Sequence, residues 1–273
     1  MDELAKNPEG LTAAQVAAYL DRIGAERPGR AGAAELARLQ EAHLDAVPFE
    51  NLSIHLGEPV VLEPAALLEK IVDRRRGGFC YELNGAFAAL LSTLGYRVDL
   101  LAARVFDGAK PGPPFDHLAL RVAADGRTWL VDVGFGRFAR RPLLLDERGE
   151  QRDPAGVFTI LPSGTADDLD VTLDGEPQYR LERRPHPLAD FVPTCWWQTT
   201  SPDSPFARGT TCSRPAPDGG RITLTGARAG DSTRLLRTAP DGTRTEEVLA
   251  PDAALAAYHT HFGITLDRLP TAP

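Results

Sequence analysis

The apolar period of this chain of 273 residues changes near residue 97, and that change constrains the fold more than any single motif. Up to about residue 95 the period is helical. Val16, Tyr19, Leu20 and Ile23 follow a Thr12-x-x-Gln15 capping box and stop at Gly24, which predicts a first helix. Leu36, Leu39 and Val47 predict a second, ending before Pro48, and Leu67, Leu68, Ile71 and Val72 a third from near Pro64 to the Gly77-Gly78 pair. A fourth starts at or just after Cys80, with Leu83, Phe87, Leu90, Leu91 and Leu94 on one face and Gly95 as its stop. From residue 97 the period is two. RVDLLAARVF, HLALRVAAD and RTWLVDV read as strands, followed by FTILP, DVTL, QYRLE, RITLT and TRLLR, with turn clusters such as DGAKPGPPF, PAPDGG and APDGT between them. A helix from about Asp252 to His261 closes the series. The expected class is α+β: a helical bundle over 1–100, a β region over 101–207 and a small α/β tail over 208–273.

Composition sets the outer limits. With 42% apolar and 25% charged residues the chain is an ordinary globular one, and its longest apolar runs, such as AFAALL, fall far short of a membrane span. A net charge of −8 disfavours nucleic acid or an anionic membrane as partner. The start, MDELAKNPEG, is acidic and polar where a signal peptide needs a basic start and an apolar core, so the expected place is the cytoplasm, with reduced thiols. Three cysteines without a CxxC pair argue against a disulfide framework or a structural metal.

Each cysteine is therefore weighed alone. A free cysteine is most often a small buried hydrophobe, which is the reading for Cys195 and Cys212. Cys80, in RRRGGFCYELNGAF, has a different setting. It sits where a helix begins, so orphan backbone N–H groups favour a thiolate, and Arg74 to Arg76 add positive charge; both are expected to lower the thiol pKa. Gly77 and Gly78 let the chain turn tightly and leave donors free to face an oxyanion.

A thiol nucleophile needs a base, and the base an orienting acceptor. If Asp125-Gly126 is a two-residue turn, Ala124 faces Arg127 and, counting outward, His117 faces Gly134 while Asp132 faces Ala119. His117 and Asp132 then lie diagonally on one face, with Cα atoms about 7–8 Å apart, within reach of an imidazole–carboxylate bond. Leu118, Leu120, Val122, Trp129, Val131 and Val133 fill the other face, which leaves His117 and Asp132 on the more polar side. A three-residue loop would separate the pair. A satisfied structural histidine is the competing reading for His117, and spacing alone does not bring it to Cys80. As metal ligands, Cys80, His117 and Asp132 are single, widely spaced and lack a fourth partner. His43, His55 and His186 have no evident partner, and His259-x-His261 cannot face one direction on a helix.

The runs RGGFCYELN, VPFENL (47–52), FDHLAL (115–120) and VDVGFG (131–136) occur in this order and resemble the arylamine N-acetyltransferases, with weaker similarity through TTSPDSPF and FGITL. Where relatives often carry asparagine ahead of the TSP segment, this chain has Cys195, Trp196 and Trp197. The resemblance implies a helical bundle carrying the nucleophile, a β-barrel carrying the histidine and aspartate, and an α/β lid over the cleft. It places the triad on Cys80, His117 and Asp132, puts Phe49 and Val105 in the acceptor pocket, and sets Phe135 and Gly136 against the cysteine and the pantetheine arm of coenzyme A. It implies acetyl-CoA as acyl donor, small aromatic amines as acceptors and no metal. A related reading keeps the triad but releases or cyclises a carrier-bound polyketide chain as an amide; a triad hydrolase is a further one. Arg137, Arg140 and Arg141 read as a solvated charge run, with coenzyme A phosphates as the alternative partner. Arg76 and Glu50 are expected to pair and brace the loop before Cys80.

Overall fold

A computed structural model describes residues 10–226 and 232–271, so most of the MDELAKNPEG segment lies outside the described residues. The helical half is built as the period dictates. Helix α1 (Ala13–Ile23) opens on the expected box, with the Gln15 amide donating to Thr12 Oγ1 and the Thr12 amide to Gln15 Oε1, and closes at Gly24 with φ 66°. Helix α2 (Ala33–Ala46) ends at Val47, strand β1 (Phe49–Glu50) and helix α3 (Leu52–Leu56) follow, and α4 (Pro64–Leu68) runs into a π turn over Glu69–Asp73. Helix α5 (Cys80–Thr93) has Cys80 as its first residue.

Strands β2 (Arg97–Asp107), β3 (Lys110–Pro111), β4 (His117–Ala124), β5 (Arg127–Val131) and β6 (Leu143–Leu144) are followed by β7 (Gln151–Asp153), β8 (Gly156–Pro162), β9 (Leu169–Leu173) and β10 (Glu176–His186). They form one antiparallel sheet in the order β6-β5-β4-β2-β10-β9-β8-β7, with β3 on β2. The sheet nearly closes into a barrel. Its seam is spanned by side chains of β7: Gln151 accepts the Leu144 amide at 2.7 Å and donates to the Leu144 carbonyl at 2.9 Å, and Asp153 accepts the Arg140 and Arg141 amides at 2.9 Å and 3.0 Å. A 3₁₀ turn at Leu188–Phe191 leads into α6 (Val192–Thr200) and α7 (Pro205–Arg208). The remaining strands, β11 (Thr210–Pro215), β12 (Arg221–Gly226), β13 (Thr233–Thr238) and β14 (Arg244–Leu249), form a second sheet against α8 (Pro251–Phe262), and β1 joins it at the β11 edge. The class is α+β, as the periods predict. A three-part division at residues 100 and 207 remains our proposal; the first cut falls inside β2 and the second inside α7.

Three cores result. One lies between the helices and the Leu118, Leu120, Val122 and Val131 face of the barrel, and one under the second sheet, around Cys212, Leu224 and Tyr258. The other fills the barrel with Ala103, Ala119, Leu130, Phe158, Tyr179 and Leu181. Strand β4 is thus buried on both sides, and the face carrying His117 is the barrel interior rather than a polar surface. Among the described residues no helix is long and apolar enough to cross a membrane.

The loop ahead of Cys80 is fixed by close approach and by charge. A Cβ on Gly77 would overlap the Pro48 carbonyl, and one on Gly78 would meet Glu82 Cβ at 2.7 Å, so this crossing admits no side chain. Arg76 donates to Glu50 from Nε at 3.0 Å and from Nη2 at 3.2 Å, with both side chains buried. Burial alone would raise the Glu50 carboxyl, but Arg76 and Lys70 beside it hold it below the usual carboxylate range. Arg76→Met leaves Glu50 without its guanidinium, and chemical denaturation at pH 7 should show a loss of about 3–5 kcal/mol. A depressed carboxyl stabilises above its unfolded pKa and loses that contribution as the pH falls, so the difference between wild type and variant should narrow in acid.

Candidate active site

The two-residue turn forms as expected. Asp125 and Gly126 both adopt positive φ, 49° and 71°, and the β4–β5 register runs from Ala124↔Arg127 to Leu120↔Val131. That register carries His117 and Asp132 to one side. His117 Nε2 donates to Asp132 Oδ2 at 2.7 Å, and both side chains are buried, at 2% and 1% exposure. With Nε2 committed to the carboxylate, Nδ1 is the ring nitrogen left for another proton partner.

Helix α5 packs on β4 and on the chain just after Val131, which sets Cys80 beside the Leu118 amide, next in sequence to His117. A Cβ built on Gly134 would lie 2.7 Å from Cys80 Cα, so the backbone of the VDVGFG segment lies directly on the start of α5. One helical turn on, Asn84 joins all three elements. Its Nδ2 donates to the Leu118 carbonyl at 2.6 Å and to Asp132 Oδ1 at 2.9 Å, while its Oδ1 accepts the Val133 amide at 3.0 Å. The Gly134 amide also donates to Asp132 Oδ1, at 2.9 Å, so this oxygen is fully engaged and the other is left to hold His117.

The electrostatics differ from the sequence expectation. Burial pushes the Cys80 thiol up, the Leu118 amide beside the sulfur draws it back only in part, and Cys195, Asp132 and Asp116 add to the rise. The arginines do not offset this. Arg76 is committed to Glu50 and Glu58, and Arg74 to Glu58 at 2.8 Å. The glycine donors are likewise partly used, since the Gly77 amide donates to Glu50 Oε1. The sulfur is therefore not a free-standing thiolate. Its proton leaves at low cost only if it passes to a neighbouring base, creating an ion pair rather than a lone buried charge.

Aromatic rings surround the dyad. The Phe135 and Tyr179 rings lie 5.1 Å and 5.2 Å from the His117 ring. The Tyr179 hydroxyl is buried and faces Asp132 without a bond of hydrogen-bond geometry. Phe206 lies 5.4 Å from Phe79 and 6.2 Å from Phe49, and a Cβ on Gly136 would stand 3.8 Å from the Phe49 ring. Phe49 and Gly136 thus lie together beside Phe206, while Phe135 lies against His117. Val105 pairs with Tyr179, two residues along β2 from Ala103, the residue opposite His117, and so lies on the same strand face. Sequence reasoning missed Asn84, Tyr179 and Phe206. Asn84 alone had a legible signal, a polar residue four positions after Cys80 and so on the same face of its helix.

The other expectations divide. Cys195 and Cys212 are buried. His43 bonds Tyr19 at 3.0 Å, His55 approaches the Phe206 and Gly209 carbonyls, and His186 lies 3.1 Å from Asp190. Trp196 is exposed, while Gln198 is buried and donates to Asp116 at 2.7 Å. Arg141 and Arg140 pair with Glu41 and Asp45, each at under 3 Å. Among the described residues no group of three side chains is placed to hold a metal.

If His117 is the group that takes the thiol proton, iodoacetamide should modify Cys80 ahead of Cys195 and Cys212. His117→Gln should slow that modification by about a hundredfold, read by peptide mass, while an unchanged rate would leave His117 without this role.

Comparison with known proteins gives one consistent result. A family model described as N-acetyltransferase matches residues 33–270. The arylamine N-acetyltransferase of Mycolicibacterium smegmatis is 37% identical over 264 residues, covering 92% of either chain. The solved arylamine N-acetyltransferase from Salmonella typhimurium superposes with a TM-score of 0.83 at 29% identity, covering 93% of this chain and 92% of that one. The Mycobacterium marinum enzyme, solved in complex with CoA, superposes with a TM-score of 0.78 at 33% identity, covering 91% and 92%. Matches of this extent, on a fold that brings the four sequence motifs to one buried cysteine, show that the chain belongs to the arylamine N-acetyltransferase family.

Proposed function

We propose that this chain transfers an acetyl group from acetyl-CoA to an arylamine, arylhydrazine or hydrazide by a two-step exchange through acetyl-Cys80. The observation that carries the reading is the 2.7 Å bond from His117 Nε2 to Asp132, made beside the first residue of a helix that begins with a cysteine. In the first step the Cys80 proton passes to His117 Nδ1 as the sulfur attacks the thioester carbonyl. The tetrahedral oxyanion is stabilised by backbone N–H groups at the start of α5, among them that of Cys80 itself, which precede any intrahelical acceptor. Collapse breaks the bond to the coenzyme A sulfur, which leaves with the proton from His117.

The second step repeats the chemistry with an amine in place of the thioester. Its nitrogen lone pair attacks the acetyl carbonyl, His117 accepts the proton, and the Cys80 sulfur leaves and is reprotonated. Asp132 fixes the imidazole tautomer and offsets the imidazolium charge in both steps. Phe49, Val105, Phe135 and Gly136 form the pocket wall in this reading. Phe79 and Phe206 add apolar surface, which favours a flat aromatic acceptor over water. The cytoplasm suits such an enzyme, because its reducing conditions keep Cys80 a thiol.

Intact mass spectrometry tests the reading directly. Acetyl-CoA alone should add one acetyl group, located on Cys80 and lost when an arylamine such as an aminobenzoate is supplied; Cys80→Ala should gain none. Failure to acylate from acetyl-CoA would defeat the proposal, and acylation only from a carrier-bound thioester would replace it with an amide synthase.

A further inference from the structure

A chain of polar groups runs from the strand that carries His117 to the Phe206 ring, and neither the thiol nor its base takes part in it. Gln198 stands at its centre. On α6, between the exposed Trp197 and the half-buried Thr199, this glutamine is 2% exposed. Its Nε2 donates to Asp116 Oδ1 at 2.7 Å, and its Oε1 lies 2.7 Å from the Ser204 hydroxyl, which donates. Ser204 in turn caps α7 and accepts the Phe206 amide at 3.1 Å. A primary amide offers both a donor for the carboxylate and an acceptor for the hydroxyl, so it fits between them without a charge of its own.

Both ends of the chain are anchored. Asp116 precedes His117, and its carbonyl accepts from the Tyr81 hydroxyl at 3.2 Å, from the residue that follows Cys80. Its carboxylate also lies against the loop before β4, where a Cβ on Gly112 would stand 2.5 Å from Oδ2. At the far end the Phe206 carbonyl accepts from Asn51 Nδ2 at 2.9 Å and lies 2.9 Å from His55 Nε2. The Phe206 ring meets the Phe79 and Phe49 rings. Ring contacts of this kind tolerate sliding, whereas buried polar groups lose much when left unpaired, so the backbone bonds of Phe206 decide where its ring sits.

We propose that Gln198 is a positioning residue for the acceptor: through Ser204 it holds the Phe206 ring at a set distance from the strand carrying His117, and so makes acetyl-Cys80 prefer a flat aromatic amine to a small acceptor such as hydrazine. The inference rests on the acetyl-transfer reading for the reaction and on the hydrogen bonds alone for the tether. Gln198 bonds none of Cys80, His117 and Asp132 and acts through Phe206. A flat ring needs contact over its whole face, while hydrazine and a thin thioester arm tolerate a small shift of one wall. Thr200 is the internal contrast, exposed on the same helix and bonded only to the Trp196 carbonyl among the described residues.

The test follows both half-reactions in wild type, Gln198→Met, Ser204→Ala and Thr200→Ala: acetylation of Cys80 by acetyl-CoA, then release of the acetyl group to an aminobenzoate or to hydrazine. The aminobenzoate-to-hydrazine rate ratio should fall about tenfold or more in Gln198→Met and in Ser204→Ala, with acetylation within about twofold of wild type, and Thr200→Ala should change neither. Ser204→Ala removes the other link of the same chain with a smaller change of volume, should the longer substitution prevent folding. A wild-type ratio in either folded variant would overturn the proposal, as would an equal loss in acetylation and in both release rates, which marks a merely structural role. If the wild type takes no acetyl group, the acetyl-transfer reading fails, and titration of the aminobenzoate followed by NMR decides the tether: binding weakened in Gln198→Met upholds it, and binding that is absent or indifferent to Gln198 overturns it.

Discussion

One side-chain amide holds the site together. Asn84 is buried on α5, and its three hydrogen bonds reach the Leu118 carbonyl on β4, the Asp132 carboxylate and the Val133 amide. A helix and a barrel packed only through apolar side chains can slide by a rotamer at little cost, whereas buried polar groups lose much when left unpaired. The amide therefore sets the distance between the cysteine at the head of α5 and the histidine–aspartate pair on the hairpin. The absent Cβ at Gly134 lets the two backbones close to contact at the same point.

Burial then dictates the chemistry. Cys80, His117 and Asp132 are all nearly inaccessible, so a lone thiolate is disfavoured and the surrounding carboxylates disfavour it further. Moving the thiol proton onto an imidazole already bonded to a carboxylate leaves the net charge of the group unchanged, which removes most of the desolvation penalty. The arginines of RRRGG act elsewhere. Arg76 locks to Glu50 and pins the turn before the nucleophile, with Lys70 and Glu82, 2.6 Å apart, supporting the same region from the π turn. They shape the loop and do not activate the sulfur.

What the sequence disclosed follows from how local each determinant is. The helix boundaries, the capping box at Thr12 and the turn at Asp125-Gly126 depend on near neighbours, and the turn alone suffices to put His117 and Asp132 on one face. The resemblance added the meeting of that face with Cys80, which spacing does not contain. The second burial of β4 was not legible, because Ala119 and Leu130 are ordinary apolar positions until the barrel closes and Tyr179 arrives from β10 and Phe138 from the loop after β5. Strand β14 escaped for a related reason: RTEEVL is an exposed edge held by backbone pairing with β13, with little apolar alternation to announce it. Arg137 and Arg140 stand near each other in the sequence, whereas Arg214 and Arg221 come to them from the second sheet.

Asn84 holds the start of α5 in register with the hairpin that carries His117 and Asp132. Its most direct test is single-turnover acetylation of Cys80 in Asn84→Ala, measured well below the variant's own unfolding temperature and under saturating acetyl-CoA. The account predicts a folded protein whose acetylation rate falls about tenfold or more, because the triad is present but displaced. A folded variant that acetylates at the wild-type rate would contradict it, and would mean that packing alone brings Cys80 to His117.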